Sequence, residues 1–215
     1  MTPGPTQVIR CPLCSALAQY PTIASGNTFR AVYYTDGKRV APMLPDTPSV
    51  VRCAACRGVF WCAAAAEVGE FYEHRKDTAA VDADWRKAGK LHEPDEGEYL
   101  AALDRLIASS PGEERSIRLF AWWRGNDHHR GSSPAPAPDN PKVVSLRHAN
   151  MHQLIALLDT AEPSDQLMRA EALRQLGEFD QAVAILSKPF PPDYGTAISR
   201  LLGLCAMRDT VLQKL

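Results

Sequence analysis

The stretch CPLC at residues 11–14 and the stretch CAAC at residues 53–56 decide how the first part of this chain folds. Each stretch spaces two cysteines three positions apart, so one tight turn can direct both sulfurs at one point. Two such turns supply four sulfurs, the ligand set of a tetrahedral Zn²⁺ site. The sequence therefore predicts one structural zinc site made of Cys11, Cys14, Cys53 and Cys56, with no ligand position left for catalysis.

Other interpretations of the cysteines remain open at this point. Iron in a rubredoxin-like arrangement uses the same four thiolates, and the pairs could also be unrelated buried cysteines. A redox dithiol is disfavoured, because neither pair lies in a βαβ pattern. Cys62 and Cys205 lie in alanine-rich and apolar stretches, so we interpret them as small buried side chains and not as ligands.

CPLC and CAAC resemble the two knuckles of the zinc-ribbon family, and the resemblance covers residues 1–60. The family often carries glycine directly after the second cysteine of a knuckle, whereas this chain has Ser15 and Arg57 there. The resemblance implies a compact β unit folded around the metal. Asp36-Gly37, between two aromatic and β-branched runs, predicts a type I′ hairpin inside it.

Composition indicates a globular protein and gives little direct information about function. The 215 residues are 45% hydrophobic and 23% charged, and the formal net charge is −1. Lys and Arg exceed Asp and Glu by 6 to 2 in residues 1–60, whereas the acids exceed the bases by 14 to 10 in residues 61–131. No export signal and no apolar run of about 18 residues is found, so we expect a cytoplasmic protein that makes no membrane contact and keeps its thiols reduced.

The chain is predicted to be α+β, with four segments. These are a zinc ribbon (1–60), a helical segment (61–131), a Pro-rich linker or loop (132–142) and a helical segment (143–215). In the second segment, alanine-rich residues 60–77 predict a helix. Another helix is expected to start at Ser110-Pro111 and to stop near Gly125. The last segment is expected to form four helices that continue to the end of the chain.

Residues 169–186 resemble one tetratricopeptide repeat. In that family, a helix with small residues leads through a glycine-acidic-aromatic turn into a second helix, where an alanine allows close approach. Ala170 and Leu173 occupy the first helix, Gly177-Glu178-Phe179 the turn and Ala182 the second helix. The resemblance implies a surface that binds peptides or proteins, and the flanking helices must cover its other faces.

The most unusual polar cluster is Asp127-His128-His129, which could coordinate a metal or act as acid and base. Adjacent side chains point in different directions, so a solvated helix end or a binding epitope explains the cluster better. His148 and His152 have a metal-capable spacing but no HExxH pattern. No nucleotide-binding, hydrolase or kinase motif is present.

Three functions follow from these features. The favoured one is a non-enzymatic interaction or adaptor protein with a structural zinc site and a protein partner. The first alternative is nucleic-acid binding, with Arg30, Lys38 and Arg39 on phosphates and Tyr34 stacked on a base. The second alternative is a small bacterial immunity or regulatory protein that blocks a specific target.

Overall fold

A computed structural model of the chain describes residues 1–73, 82–105, 107–131 and 141–215. The strands are β1 (Thr2–Arg10), β2 (Leu17–Ser25), β3 (Val32–Tyr33), β4 (Arg39–Val40), β5 (Val50–Arg52), β6 (Val59–Trp61), β7 (Ala66–Phe71) and β8 (Gly89–Lys90). The α-helices are α1 (Ala83–Lys87), α2 (Glu96–Asp104), α3 (Pro111–Gly125), α4 (Pro141–Leu157), α5 (Pro163–Gln175), α6 (Phe179–Leu186) and α7 (Gly195–Ala206). Strands dominate the first part and long helices the second, which confirms the α+β class.

The described chain divides into two compact units. The sheet unit contains Met1–Ala31 and Val40–Ile107, and the helical unit contains Val32–Arg39 and Ala108–Leu215. These boundaries differ from the four segments inferred from the sequence, because residues 32–39 belong to the helical unit although sheet-unit residues flank them on both sides. The predicted linker lies mostly in residues 132–140, outside the described residues, and α4 already begins at Pro141.

The sheet unit is built on a four-stranded sheet with the order β7-β1-β2-β8. Strand β1 pairs antiparallel with β2 and β7, and β2 pairs parallel with β8. Strands β5 and β6 form a separate antiparallel pair. Six buried side chains make its apolar cluster: Ile9, Cys11, Ala18, Val51, Cys53 and Phe60.

The helix expected over residues 60–77 is wrong for the residues that the structure describes. The chain instead forms β6, a 3₁₀ helix at Cys62–Ala64 and then β7. Phe60 and Phe71 are buried, and the backbone between them pairs with β5 and β1. Alanine favours helices by less than 1 kcal/mol per residue, so sheet pairing and burial outweigh it here. Residues 74–77 of this expectation lie outside the described residues.

Helices α3–α7 form the helical unit around one apolar core, whose fully buried members include Trp122, Leu154 and Leu201. The predicted start of α3 is confirmed, because the Ser110 side chain accepts from the Glu113 backbone N–H at 3.2 Å and Pro111 is the first helical residue. The predicted end of α3 at Gly125 is also confirmed.

The turn between α5 and α6 requires glycine. Gly177 has φ +81°, a backbone conformation that costs other residues energy. Ala170 on α5 and Ala182 on α6 are completely buried, so the two helices approach each other closely. This helical hairpin is therefore fixed by one turn and by small residues at its contact.

The Asp36-Gly37 hairpin forms between β3 and β4, but its turn differs from the expected type I′. Tyr34 N–H donates to the Lys38 carbonyl at 3.0 Å and Gly37 N–H donates to the Tyr34 carbonyl at 2.9 Å. Gly37 has φ +79°, whereas Asp36 has no positive φ. The loop is thus a three-residue connection in which only glycine is left-handed.

The chain end pairs with this hairpin and does not continue the last helix as expected. Helix α7 ends at Ala206. Thr35 N–H donates to the Gln213 carbonyl and Leu215 N–H donates to the Tyr33 carbonyl, each at 2.9 Å. Because these backbone groups need partners, the last residues add an extended segment to the hairpin.

Gly37→Ala is expected to destabilise the helical unit by about 1–2 kcal/mol, because alanine tolerates φ +79° poorly. The new Cβ would meet only Met168 Cε at 3.8 Å, so crowding does not contribute. Hydrogen exchange of α5 amides measures the change. Gly195→Ala is the control, because Gly195 has right-handed φ and open space. An equal loss in both variants would contradict the conformational explanation.

Candidate metal centre

Each cysteine pair forms the turn of its own β-hairpin. The first knuckle, residues 11–16, connects β1 to β2, where Arg10 pairs with Leu17. The second knuckle, residues 53–58, connects β5 to β6, where Arg52 pairs with Val59. Both turns are thus held by strand pairing on either side. The sequence-based expectation that the Asp36-Gly37 hairpin builds the ribbon is wrong, because that hairpin belongs to the helical unit.

The two knuckles share one hydrogen-bond pattern. The N–H of the first cysteine donates to the carbonyl five residues later, from Cys11 to Ala16 and from Cys53 to Gly58, at 2.9 Å in both cases. The carbonyl of the first cysteine accepts from the residue four positions on, which is Ser15 in one knuckle and Arg57 in the other. The two turns therefore repeat the same local structure.

The residue after the second cysteine is left-handed in both knuckles. Ser15 has φ +62° and Arg57 has φ +59°. This is the conformation that glycine adopts most easily. Ser15 and Arg57 therefore adopt a backbone conformation that costs non-glycine residues energy.

The four sulfurs form a compact cluster. All lie within 4.8 Å of one another. Cys11 Sγ is 3.9 Å from Cys56 Sγ, and Cys14 Sγ is 3.8 Å from Cys53 Sγ. Four sulfurs placed tetrahedrally about 2.3 Å from a zinc ion are about 3.8 Å apart. The cluster could therefore hold one metal ion, and iron with four thiolates would need similar spacing.

The cluster is closed on one side by protein. Cys11 and Cys53 are each only 1% exposed, whereas Cys14 and Cys56 are exposed. Backbone N–H groups point at the sulfurs, from Ala55 to Cys53 Sγ and from Gly58 to Cys56 Sγ, at 3.4 Å each. Such donors favour the thiolate form that a metal requires.

The two buried cysteines of the cluster have pKa values shifted in opposite directions. Burial raises the pKa of Cys11 to about 12, against the effect of N–H groups from Leu13 and Cys14. Burial also acts to raise the pKa of Cys53, but hydrogen bonds from the Cys56 and Ala55 N–H groups outweigh it and lower that pKa. A bound metal must displace the proton of Cys11, so binding is expected to release protons.

A short segment around β8 connects the two knuckle hairpins. Leu91 N–H donates to the Gln19 carbonyl on β2 at 3.0 Å. One residue later, His92 and Arg52 exchange two backbone hydrogen bonds, of 2.8 and 3.2 Å, at the edge of β5. Residues 89–92 therefore hold the two hairpins beside each other and bring the cysteine pairs together.

A carboxylate braces the second knuckle. Glu98 Oε1 accepts from Arg52 Nη1 at 2.7 Å and from Arg57 Nη2 at 3.2 Å. Glu98 also completes the capping box of α2 with Asp95. Burial acts to raise the pKa of Glu98, but the bonds from Arg52 and the Asp95 N–H outweigh it and hold that pKa below its usual value.

Glu98→Gln is expected to destabilise the sheet unit by about 1–2 kcal/mol at pH 7, through a lost cap interaction and weaker bonds to the arginines. Because the pKa of Glu98 is lower in the folded chain than in the unfolded chain, ionised Glu98 stabilises the fold. This stabilisation is complete above the unfolded-state pKa of about 4.3 and is lost as the pH falls through the folded-state pKa. The difference between the two proteins should therefore shrink in acid. Denaturant unfolding at several pH values measures it.

The control for this prediction is Glu67→Gln, which removes an exposed glutamate of β7. It should leave stability within about 0.5 kcal/mol of the parent. A difference between the Glu98 variant and the parent that stays constant from pH 7 to pH 3 would contradict the assigned role.

The remaining cysteines are separate from the cluster. Among the described residues, the four cysteines are the one group of three or more Cys, His, Asp or Glu side chains that brings its ligand atoms together. Cys62 is half-buried against the sheet-unit core, and Cys205 is buried in the helical core. Burial raises the pKa of both thiols.

The candidate acid–base cluster does not converge on a shared site. Asp127 is 2% exposed and accepts from Lys38 at 3.0 Å, Arg124 at 2.7 Å and Arg130 at 2.9 Å. The His128 ring contacts the Gly125 carbonyl through Nδ1 at 2.8 Å. Asp127 thus neutralises cations of the helical unit, and its carboxylate is not directed at either histidine.

The other histidine pair is also separated. His152 Nε2 lies 3.5 Å from Glu178 Oε1, and the described residues bring no third ligand to His148 and His152. Burial, followed by the nearby charge of His128, lowers the pKa of His129. His74 lies outside the described residues.

A buried charge network was missed by sequence reasoning. Glu171 and Arg174 are completely buried on α5 and make two hydrogen bonds of 2.7 Å to each other. Glu171 Oε1 also accepts from Thr35 Oγ1 at 2.6 Å, and Arg174 donates to the Asp209 and Val211 carbonyls. The helix, the hairpin and the chain end are therefore held by one ion pair. The only sequence signal is the spacing of opposite charges three residues apart.

The hairpin turn has its own buried anion. Asp36 is 0% exposed and pairs with Arg130 and with Asn126, whose Nδ2 lies 3.0 Å from Asp36 Oδ2. Trp123 Nε1 donates to the Asp36 carbonyl at 3.0 Å. Its neighbour Trp122 is buried and bonded to Gln175, so both tryptophans serve the helical unit.

No family model, no curated protein and no solved structure matches this chain. Within the described residues, no helix is long and apolar enough to cross a membrane. The chain thus combines a four-cysteine cluster on two hairpins with a helical unit.

Proposed function

We propose that this chain is a non-enzymatic interaction protein whose sheet unit is stabilised by a structural zinc ion. The observation that carries the proposal is the sulfur cluster, with spacings of 3.8 and 3.9 Å that suit four thiolates around one ion. Four protein ligands complete a tetrahedral shell, so the ion would stabilise the fold and would have no free position for substrate.

The bonding of Asp127, the candidate acid–base residue, supports this proposal. Asp127 is bonded to three cations and shares no centre with His128 or His129. A general base must reach the proton that it removes, and a carboxylate saturated by cations is poorly suited to do so. The residues that looked most like an active site are thus explained by the stability of the helical unit.

The helical hairpin of α5 and α6 supports the interaction role. The turn at Gly177 and the buried small residues Ala170 and Ala182 agree with the resemblance to a tetratricopeptide repeat. Such repeats present binding surfaces on stacked helices. We infer that a protein partner binds to the helical unit.

The nucleic-acid alternative receives less support. Tyr34 is only 5% exposed and lies under Arg130, so its ring has no open face for a base. Lys38 is bonded to Asp127, which competes with a phosphate for its charge. Arg30 remains exposed, but one arginine gives a weak electrostatic footprint.

Metal analysis of the purified chain tests the first half of the proposal. We expect one zinc ion per chain and no colour. One iron ion per chain, with the absorption of iron–thiolate bonds, would show that the structural metal is iron and not zinc. A chain that folds without stoichiometric metal would overturn the structural role.

Affinity capture from the native host after nuclease treatment tests the second half, followed by reconstitution with the purified partner. We expect a stoichiometric complex that persists without nucleic acid. Complexes that disappear after nuclease treatment would instead favour the nucleic-acid alternative. A reconstituted pair in which the partner is stably inactivated would assign the immunity or regulatory role.

A further inference from the structure

A groove runs between α5 and α6 on the surface of the helical unit. It has a volume of about 530 Å³. Helix α5 contributes Gln166, Arg169 and Leu173, and helix α6 with its following residues contributes Gln181, Ile185 and Lys188. These positions are three or four residues apart on each helix, so they form one continuous stripe per helix.

The groove is cationic and has no acidic wall. Arg169 and Lys188 line it, no Asp or Glu does, and neither cation makes an ion pair with any residue that the structure describes. Glu178, close by in sequence, is engaged by Gln181 Nε2 at 2.6 Å and by His152. The two positive charges are therefore left without internal neutralisation.

Two side chains that line the groove each have one buried polar atom without a partner. These atoms are Arg169 Nε, a donor, and Gln166 Oε1, an acceptor. Buried polar atoms are nearly always hydrogen-bonded, and leaving one unpaired costs about 1–3 kcal/mol. Two of the side chains that line the groove therefore keep a hydrogen-bonding group without a partner.

The floor of the groove is apolar. Leu173 is buried below it, and Ile185 is half-buried in its wall. An anion alone would leave this surface in contact with water, whereas an apolar side chain would cover it. A nucleic acid is a poor match, because it binds through many phosphate contacts and only two free cations are present here.

We propose that this groove binds an acidic segment of a protein partner, with a carboxylate on Arg169 and Lys188 and a neighbouring apolar side chain on Ile185. The inference rests on the proposed interaction function and specifies its binding site and the chemistry of the partner.

To test the proposal, the isotope-labelled full chain is titrated with the peptide Leu-Glu-Leu-Glu, acetylated at its N-terminus and amidated at its C-terminus. Amide NMR spectra of the chain are recorded at each step. We expect shifts confined to residues around the groove and saturation in the millimolar range. The neutral peptide Leu-Gln-Leu-Gln should bind at least about tenfold more weakly, because charge-assisted hydrogen bonds are lost.

Arg169→Gln combined with Lys188→Gln should weaken binding of the acidic peptide about tenfold or more. The matched control combines Arg200→Gln with Lys214→Gln, which removes one exposed arginine and one exposed lysine outside the groove, and should leave binding unchanged. Unchanged spectra of α4 and α7 amides show that the groove variant is folded.

The proposal is overturned by shifts outside the groove, by equal binding of both peptides, by no binding, or by binding of an oligothymidylate in place of the peptide. The groove proposal would also be overturned if a partner captured from the native host bound the groove variant as tightly as the parent chain. The proposed interaction function would still stand in that case. Groove binding of the acidic peptide with no partner recovered would instead remove the interaction function and leave the groove chemistry supported.

Discussion

Replacement of Cys53 by serine is expected to abolish stoichiometric metal binding and to unfold the sheet unit. Cys53 is 1% exposed, and its sulfur contacts Cys14 Sγ at 3.8 Å. Structural zinc contributes about 10–16 kcal/mol of apparent free energy in zinc-finger peptides, so losing one ligand removes much of the stability of a metal-dependent fold. Cys11 and Cys53 are themselves two of the six buried members of the apolar cluster around the site, so loss of the metal disturbs that cluster directly.

Elemental analysis and hydrogen exchange measure this effect. In the variant, amides of β1, β2 and β5 should lose protection, whereas amides of the helical core should keep most of theirs. Cys62→Ser is the matched control, because Cys62 is half-buried in the same unit and lies outside the sulfur cluster. It should retain one metal ion per chain. A Cys53 variant that retains the metal and its exchange protection would contradict the structural role.

Metal removal from the unaltered chain should reproduce this result. A strong chelator at neutral pH is expected to release the ion and the amide protection of β1 and β2 together. Acid should act in the same direction, because thiols such as Cys11, whose pKa is raised to about 12 by burial, bind protons in place of the metal. Loss of the metal without loss of protection would separate the ion from folding.

Arg174→Met is expected to destabilise the helical unit by about 3–5 kcal/mol. Among the predicted substitutions, only Cys53→Ser is expected to have a larger effect. Arg174 and Glu171 are both 0% exposed, so the variant leaves a buried carboxylate without its cation. The carbonyls of Asp209 and Val211 also lose their donor. We therefore expect the chain end to detach from the hairpin before the helices unfold.

A double-mutant cycle with Glu171→Gln separates the pair from its surroundings. The double variant should be less destabilised than the sum of the single variants, because no charge is then buried alone. Hydrogen exchange of α5 and of residues 209–215 measures both effects. Arg200→Gln, on the exposed side of α7, should change stability by less than about 0.5 kcal/mol. A loss below about 1 kcal/mol in the Arg174 variant would refute the assigned role.

Local patterns predicted much of the fold. Helices α3–α7 lie in stretches that the sequence predicts to be helical, and Ser110-Pro111 marks the start of α3. The four cysteines were identified correctly as a group that comes together, because thiolate pairs spaced for one metal constrain the chain over long distances. The helix expected at residues 60–77 failed, because strand pairing by β7 depends on a partner, β1, that is distant in sequence.

The placement of the Asp36-Gly37 hairpin shows the same limit. A tight turn is a local property, so the glycine and the reversal of the chain were predicted. The turn belongs to the helical unit because the buried carboxylate of Asp36 pairs with Arg130 and Asn126 of that unit. These partners are about ninety residues away in sequence, and no local pattern identifies them.

By itself, the sequence determined the α+β class, the four cysteines of the candidate metal site and the helical hairpin at Gly177, because spacing, turn chemistry and helix periodicity act over a few residues. Only the tertiary structure decided that each knuckle closes its own hairpin, that residues 32–39 join the helices, and that Glu171 and Arg174 share a buried site. Those features depend on which distant groups neutralise buried charges and satisfy backbone hydrogen bonds, and that is settled only when the chain packs.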